Sequence, residues 1–201
     1  MPVFQQKTSS TQTIIGIWHI TESLNLLEEL FREISDKPII ETKSEARVKQ
    51  WIATRLLVNS IIKDVEIKYN SLGKPTLSNG WNISISHSVD FVAISIHQTQ
   101  HCGIDIEKIS SKVERIKHKF LSEPDLQKVK SLNELTLFWS AKEALYKHYG
   151  KKEVLFIENL FIENFSLSSN SFTGIIKMPD FETELKMEWE KINDYILVYI
   201  V

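Results

Sequence analysis

Trp139-Ser140-Ala141-Lys142-Glu143-Ala144-Leu145-Tyr146-Lys147 is the stretch on which the reading of this chain turns. It lies inside residues 132–149, a run without glycine or proline, which Ser131 and Glu134 open and Gly150 follows. A Ser-x-x-Glu pair marks a helix start and a glycine just past the last turn marks a left-handed stop, so the spacing predicts one helix over 132–149. Residues four apart on a helix are rotated by only about 40°. Trp139, Glu143 and Lys147 therefore form a row of aromatic, acid and base. Taken alone, a Glu–Lys pair at this spacing is also what a solvated helix face carries, where it contributes about 0.2–0.5 kcal/mol.

A second segment gives the row a purpose. Cys102 to Glu107 alternates as a strand does, which sends Asp105 and Glu107 to one side and turns Ile104 and Ile106 into the core. Two carboxylates held together repel unless a proton or a cation joins them. A hard, oxygen-seeking ion such as Mg²⁺ accepts a few carboxylates and keeps positions for water and phosphate oxygens. Asp-x-Glu on a strand is by itself more often a structural or surface pair. Combined with Glu143 and Lys147 it reads as a metal and phosphate site. His101 and Cys102 lie close by, but alternation sends them to mixed faces and no second ligand cluster accompanies them, which argues against a transition metal.

The 201 residues carry a formal net charge of −2, so the global basic field that drives non-specific nucleic-acid binding is missing and any phosphate recognition must be local. A single cysteine excludes an intrachain disulfide and a cysteine-based zinc cluster. No apolar run approaches the roughly 20 residues that span a bilayer, and the first residues lack a basic segment followed by an apolar run and a cleavage site. The expectation is a cytoplasmic protein with neither a nucleic acid nor a membrane as partner.

Hydrophobic patterning divides the chain into two halves of similar make-up, with a junction near Gln98–His101. The first half reads as a strand over 13–20, helices over 22–34 and 45–62, and strands over 65–69, 81–87 and 91–97. The second reads as a strand over 102–107, helical material over 113–149, and strands over 154–165, 171–177, 182–191 and 195–201. Thr42 with Glu45 is a further capping-box signature. Arg47 and Arg55 lie two turns apart on the helix that follows, near enough in azimuth to share a face and either reach phosphate or stay solvated. Gly73-Lys74-Pro75 places a lysine in a constrained turn, and Ile85-Ser86-His87-Ser88 ends a strand with three hydrogen-bonding side chains.

In order and approximate spacing, Gly73-Lys74-Pro75, Ile85-Ser86-His87-Ser88, Gly103-Ile104-Asp105-Ile106-Glu107 and the 139–147 stretch resemble the 4′-phosphopantetheinyl transferase superfamily. The resemblance runs from about Arg47 to Phe165 and is to the larger, single-chain, surfactin-synthetase type rather than the short trimeric one. It implies an α+β fold (α/β in the broader sense) duplicated about a pseudo-twofold axis. Each of the two similar subdomains, 1–98 and 99–201, would be an antiparallel sheet packed by helices, with coenzyme A in the groove between them. It also implies a Mg²⁺-dependent transfer of the phosphopantetheine arm of coenzyme A to a serine of an apo-carrier protein, acyl or peptidyl. Two fused halves make a monomer the expected state.

Carried over by position, Asp105, Glu107 and Glu143 match the family's magnesium-binding acids. Lys147 matches the lysine that contacts the phosphates, and the transfer chemistry gives Glu143 a second task, taking the serine proton. Lys74, His87 and, less directly, Ser86 match coenzyme A contacts. Arg47 and Arg55 fall where relatives carry basic residues that grip the nucleotide 3′-phosphate. Phe120-Leu121-Ser122-Glu123-Pro124-Asp125 resembles a segment bordering the carrier surface; relatives often have Glu where Asp125 stands, and Asp125 is left out of the site. Two other readings use the same residues: a nucleotide phosphohydrolase on these acids, and a non-catalytic module that binds a carrier or a nucleotide.

Overall fold

The computed structural model describes residues 5–201, and these fall into two compact units that divide between Gln100 and His101. In the first, strands β1 (Gln5–Thr8) and β2 (Ile14–His19) precede helices α1 (Leu24–Ile34) and α2 (Glu45–Ile61), and four strands follow. These are β3 (Ile67–Tyr69), β4 (Pro75–Leu77), β5 (Asn82–Ser88) and β6 (Phe91–His97). They make one antiparallel sheet in the order β1-β2-β6-β5-β4-β3. Ile52, Leu56 and Leu57 of α2 and Leu27 and Phe31 of α1 form a core with Trp18, Val92, Ile94 and Ile96.

The second unit opens with β7 (Ile104–Lys108), followed by α3 (Lys112–Ile116), a 3₁₀ turn over Lys117–Lys119, α4 (Glu123–Lys128) and α5 (Leu132–Tyr149). It closes with α6 (Phe156–Asn159), β8 (Leu160–Glu163), β9 (Ser171–Met178), β10 (Phe181–Ile192) and β11 (Tyr195–Ile200), in an antiparallel sheet ordered β7-β11-β10-β9-β8. Its core gathers Phe138, Ala141, Ala144 and Leu145 of α5 against Ile162, Phe172, Met187, Ile196 and Val198. The two units share one wiring. In each, the strand before the helices pairs with the last strand, and the remaining strands follow in reverse order, so β2-β6-β5-β4-β3 corresponds to β7-β11-β10-β9-β8. The mixed α+β reading, two antiparallel sheets each packed by helices, is what the chain forms.

Helix α5 runs over the expected residues. Ser131 caps it by accepting from Glu134 N–H, and Gly150 closes it at φ 66°, donating to Tyr146 O. The Glu134 carboxylate reaches one residue beyond a capping box and takes the Lys130 N–H. Thr42 does not cap α2 as expected. Ser44 does, accepting from Arg47 N–H, while the Thr42 hydroxyl accepts from Ser44 N–H ahead of the helix. The strand expected over 154–165 also begins late. Its first part is the turn of α6, held by the Asn159 side chain, which accepts from Leu155 N–H and donates to Lys177 O. β1 and β4 carry no apolar alternation over enough residues to announce them.

Candidate functional site

The register of β7 decides what its side chains meet. Asp105 lies opposite Val198 and Glu107 opposite Ile196, and directly opposed residues of an antiparallel pair share a face. Val198 and Ile196 pack into the α5 core, so both carboxylates look toward α5. Ile104 and Ile106, opposite Tyr199 and Leu197, are fully buried on the reverse face. The core they enter is thus not the one under α5. Gly103 lets strand and helix approach this closely, because a Cβ there would stand 2.3 Å from Ala144 O.

Lys147 meets this strand from the last turn of α5. Its Nζ lies 2.7 Å from Asp105 Oδ1 and donates to Ile104 O at 3.2 Å. Although Glu143 is one turn back on the same helix, the ion pair runs across to β7, so the row is no ordinary solvated Glu–Lys pair. Asp105 is only 3% exposed. Burial, and then the charges of Asp105 and Glu107, push the Glu143 carboxyl up to about 7, against the opposing pull of Lys147. Asp105, Glu107 and Lys147 thus all bear on Glu143, and Lys147 pairs with Asp105.

Trp139, at the head of the row, belongs to an aromatic cluster. Its ring meets Phe120 edge-on at 5.0 Å and stacks on Phe156 at 5.7 Å, and Tyr146 lies 5.7 Å from Phe156. Beneath them sits a group that the sequence reading passed over. Lys142 is 0% exposed and donates to Phe120 O at 2.6 Å and Phe156 O at 3.0 Å, with Asp125 Oδ2 at 3.5 Å. Burial pulls its pKa down while Asp125 opposes the shift. Asp125 also completes the capping box of α4 with Ser122. The signal was present: Lys142 follows Phe138 and Ala141 and precedes Leu145 on the apolar side of α5, where a lysine needs acceptors.

The candidates of the first unit are held separately. Lys74 ends a turn organised by Asn70, whose side chain accepts from the Leu72 and Lys74 N–H groups, with Gly73 at φ 82°. Ser86 is buried and pairs with Ala93; His87 is exposed and pairs with Val92, so the two point to opposite faces of the sheet. Arg47 is exposed on the first turn of α2. Arg55 is not beside it: its guanidinium lies 3.4 Å over the Trp51 ring and donates to Trp51 O, lining a cavity of about 450 Å³ with Phe31 and Val58. Burial lowers its pKa, with Tyr69 opposing.

Among the described residues, no group of three His, Cys, Asp or Glu side chains stands assembled as a metal cage. The donor set nevertheless has the chemistry of a hard-cation site: oxygen donors only, with the charges of Asp105 and Glu107 bearing on the Glu143 carboxyl. Among the same residues no helix is long and apolar enough to cross a membrane. No curated protein matches the chain. A sequence model of the 4′-phosphopantetheinyl transferase superfamily matches residues 101–200, the span that contains β7, α5 and the whole acidic cluster. This unit of the chain, residues 101–200, belongs to the 4′-phosphopantetheinyl transferase superfamily.

Proposed function

We propose that this protein transfers the 4′-phosphopantetheine arm of coenzyme A to a serine of an apo-carrier protein, acyl or peptidyl, as a transferase of the single-chain, surfactin-synthetase type. The observation that carries the reading is the meeting of Asp105 and Glu107 with Glu143 and Lys147 inside the span that matches the superfamily. In this reading residues 99–201 form the subdomain bearing the metal-binding motifs and residues 1–98 its partner subdomain, and the protein works as a cytoplasmic monomer.

Asp105, Glu107 and Glu143 would hold a magnesium ion. When bound, it supplies the positive charge that neutralises oxygens of the pyrophosphate during transfer. The serine oxygen attacks the β-phosphorus of coenzyme A, the bond from that phosphorus to the bridging oxygen breaks, and adenosine 3′,5′-bisphosphate leaves with the electron pair. Glu143, its affinity for a proton raised by burial, accepts the serine proton at a carboxylate oxygen. Lys147 places an ammonium beside the leaving phosphate. Lys74, Ser86, His87, Arg47 and Arg55 are assigned to coenzyme A, with Arg47 and His87 exposed to solvent.

Intact-mass measurement of an apo-carrier mixed with the protein, coenzyme A and Mg²⁺ tests the proposal. The carrier should gain the phosphopantetheine arm, a chelator should prevent the gain, and Asp105→Ala or Glu143→Ala should abolish it while circular dichroism stays unchanged. Full labelling by either variant would overturn the site assignment. Phosphate release without any carrier would overturn the transferase reading in favour of a phosphohydrolase.

A further inference from the structure

The acidic cluster already contains a cation of its own. Lys147 Nζ stands 2.7 Å from Asp105 Oδ1, and its second bond, to Ile104 O, holds the ammonium against β7 where Asp105 leaves the strand. Asp105 is nearly inaccessible and Lys147 about a quarter exposed at its side chain, so the pair is shielded from the solvent that weakens surface ion pairs. A divalent ion approaching Asp105 meets a like charge at one of the two oxygens it would use. At such separations and partial burial, like charges repel strongly enough to shift an equilibrium tenfold or more.

We infer that Lys147 is a displaceable internal counter-cation: it neutralises Asp105 while the site is unliganded, opposes divalent metal, and leaves Asp105 for the phosphates of the co-substrate. The inference rests on the metal site proposed above. It adds an order to the loading of that site. Metal alone binds weakly, and metal together with a phosphate-bearing ligand binds well, because the ligand draws off the ammonium that competes with the metal. By reciprocity the metal raises affinity for the phosphate ligand by the same factor. The same side chain thus serves two successive partners, a carboxylate first and a phosphate afterwards.

Binding of Mn²⁺, followed by the loss of its free-ion electron paramagnetic resonance signal, tests this without any turnover. Three proteins are compared with and without coenzyme A and with no carrier present: the wild type, Lys147→Met and Lys147→Gln. The glutamine variant retains a hydrogen-bond donor for Ile104 O and Asp105 but no charge. Without coenzyme A, both variants should bind Mn²⁺ about tenfold or more tightly than the wild type. Coenzyme A should tighten binding in all three through its own phosphates, and most in the wild type. Equal or weaker Mn²⁺ binding by the variants without coenzyme A would overturn the inference and make Lys147 a support for the metal site. Absence of Mn²⁺ binding by all three proteins in both arms would instead sink the metal site itself, and the inference with it.

Discussion

Glu143 is a residue whose environment changes its chemistry. Its carboxyl rises from an ordinary value of 4.5 to about 7 through burial and the negative charges of Asp105 and Glu107. A group with a raised folded-state pKa contributes stability that is fully present below the unfolded value and lost as pH climbs through the folded one. In the presence of a chelator, the wild type should therefore weaken relative to Glu143→Gln between about pH 4.5 and 7. The two should match at acid pH and differ by on the order of 2 kcal/mol at about pH 8, read from thermal unfolding. A constant difference across that range would show that the carboxyl is not held neutral by its surroundings. The helical row and the Asp-x-Glu pair were visible in the sequence because both follow from periodicity alone. What the sequence did not carry is that Lys147 pairs with Asp105 instead of Glu143. That choice depends on how closely β7 approaches α5, which Gly103, two residues ahead of Asp105, permits.

Between elements, Lys142 is the fastening that joins α5 to what lies around it. Its ammonium binds Phe120 O, ahead of α4, and Phe156 O, the first residue of α6, and pairs with Asp125 inside α4. Lys142→Met would keep the volume and strand all three acceptors, so unfolding in urea should show a loss of about 3–5 kcal/mol, the cost of breaking a buried ion pair from one side. A loss below about 1 kcal/mol would mean that water or rearrangement replaces the ammonium. The boundaries of α5 were legible because Ser131 and Gly150 are strong local signals. The start of α2 at Glu45 was legible as well, but its cap was not, since Thr42 and Ser44 both precede Glu45 at plausible distances and only the backbone at Ser44 takes the cap. The late start of β8 was equally hidden. Val154 to Ile157 is an apolar run that suits strand or helix, and tertiary partners from Lys142 and Lys177 decide it.

Across the whole molecule, one wiring is used twice. The similar order of elements in the two halves could be read from hydrophobic patterning, but the matching strand order could not, because pairing is set by contacts far apart in sequence. The shared plan leaves β1 over, an edge strand that among the described residues pairs only with β2. A chain beginning at Ser9 should keep the circular dichroism spectrum and carrier labelling, unfold at a lower temperature, and self-associate in sedimentation because the β2 edge is laid bare. Loss of the folded spectrum would make β1 part of the essential plan.

The alternation along β7 has one more effect. Because charged and aliphatic side chains take turns there, sliding this strand by a single position against β11 would drive Asp105 and Glu107 into the greasy reverse side and swing Ile104 and Ile106 under the helix. An incorrectly threaded copy would be unstable and would also lack the proposed site, so quality control over the fold doubles as quality control over that site.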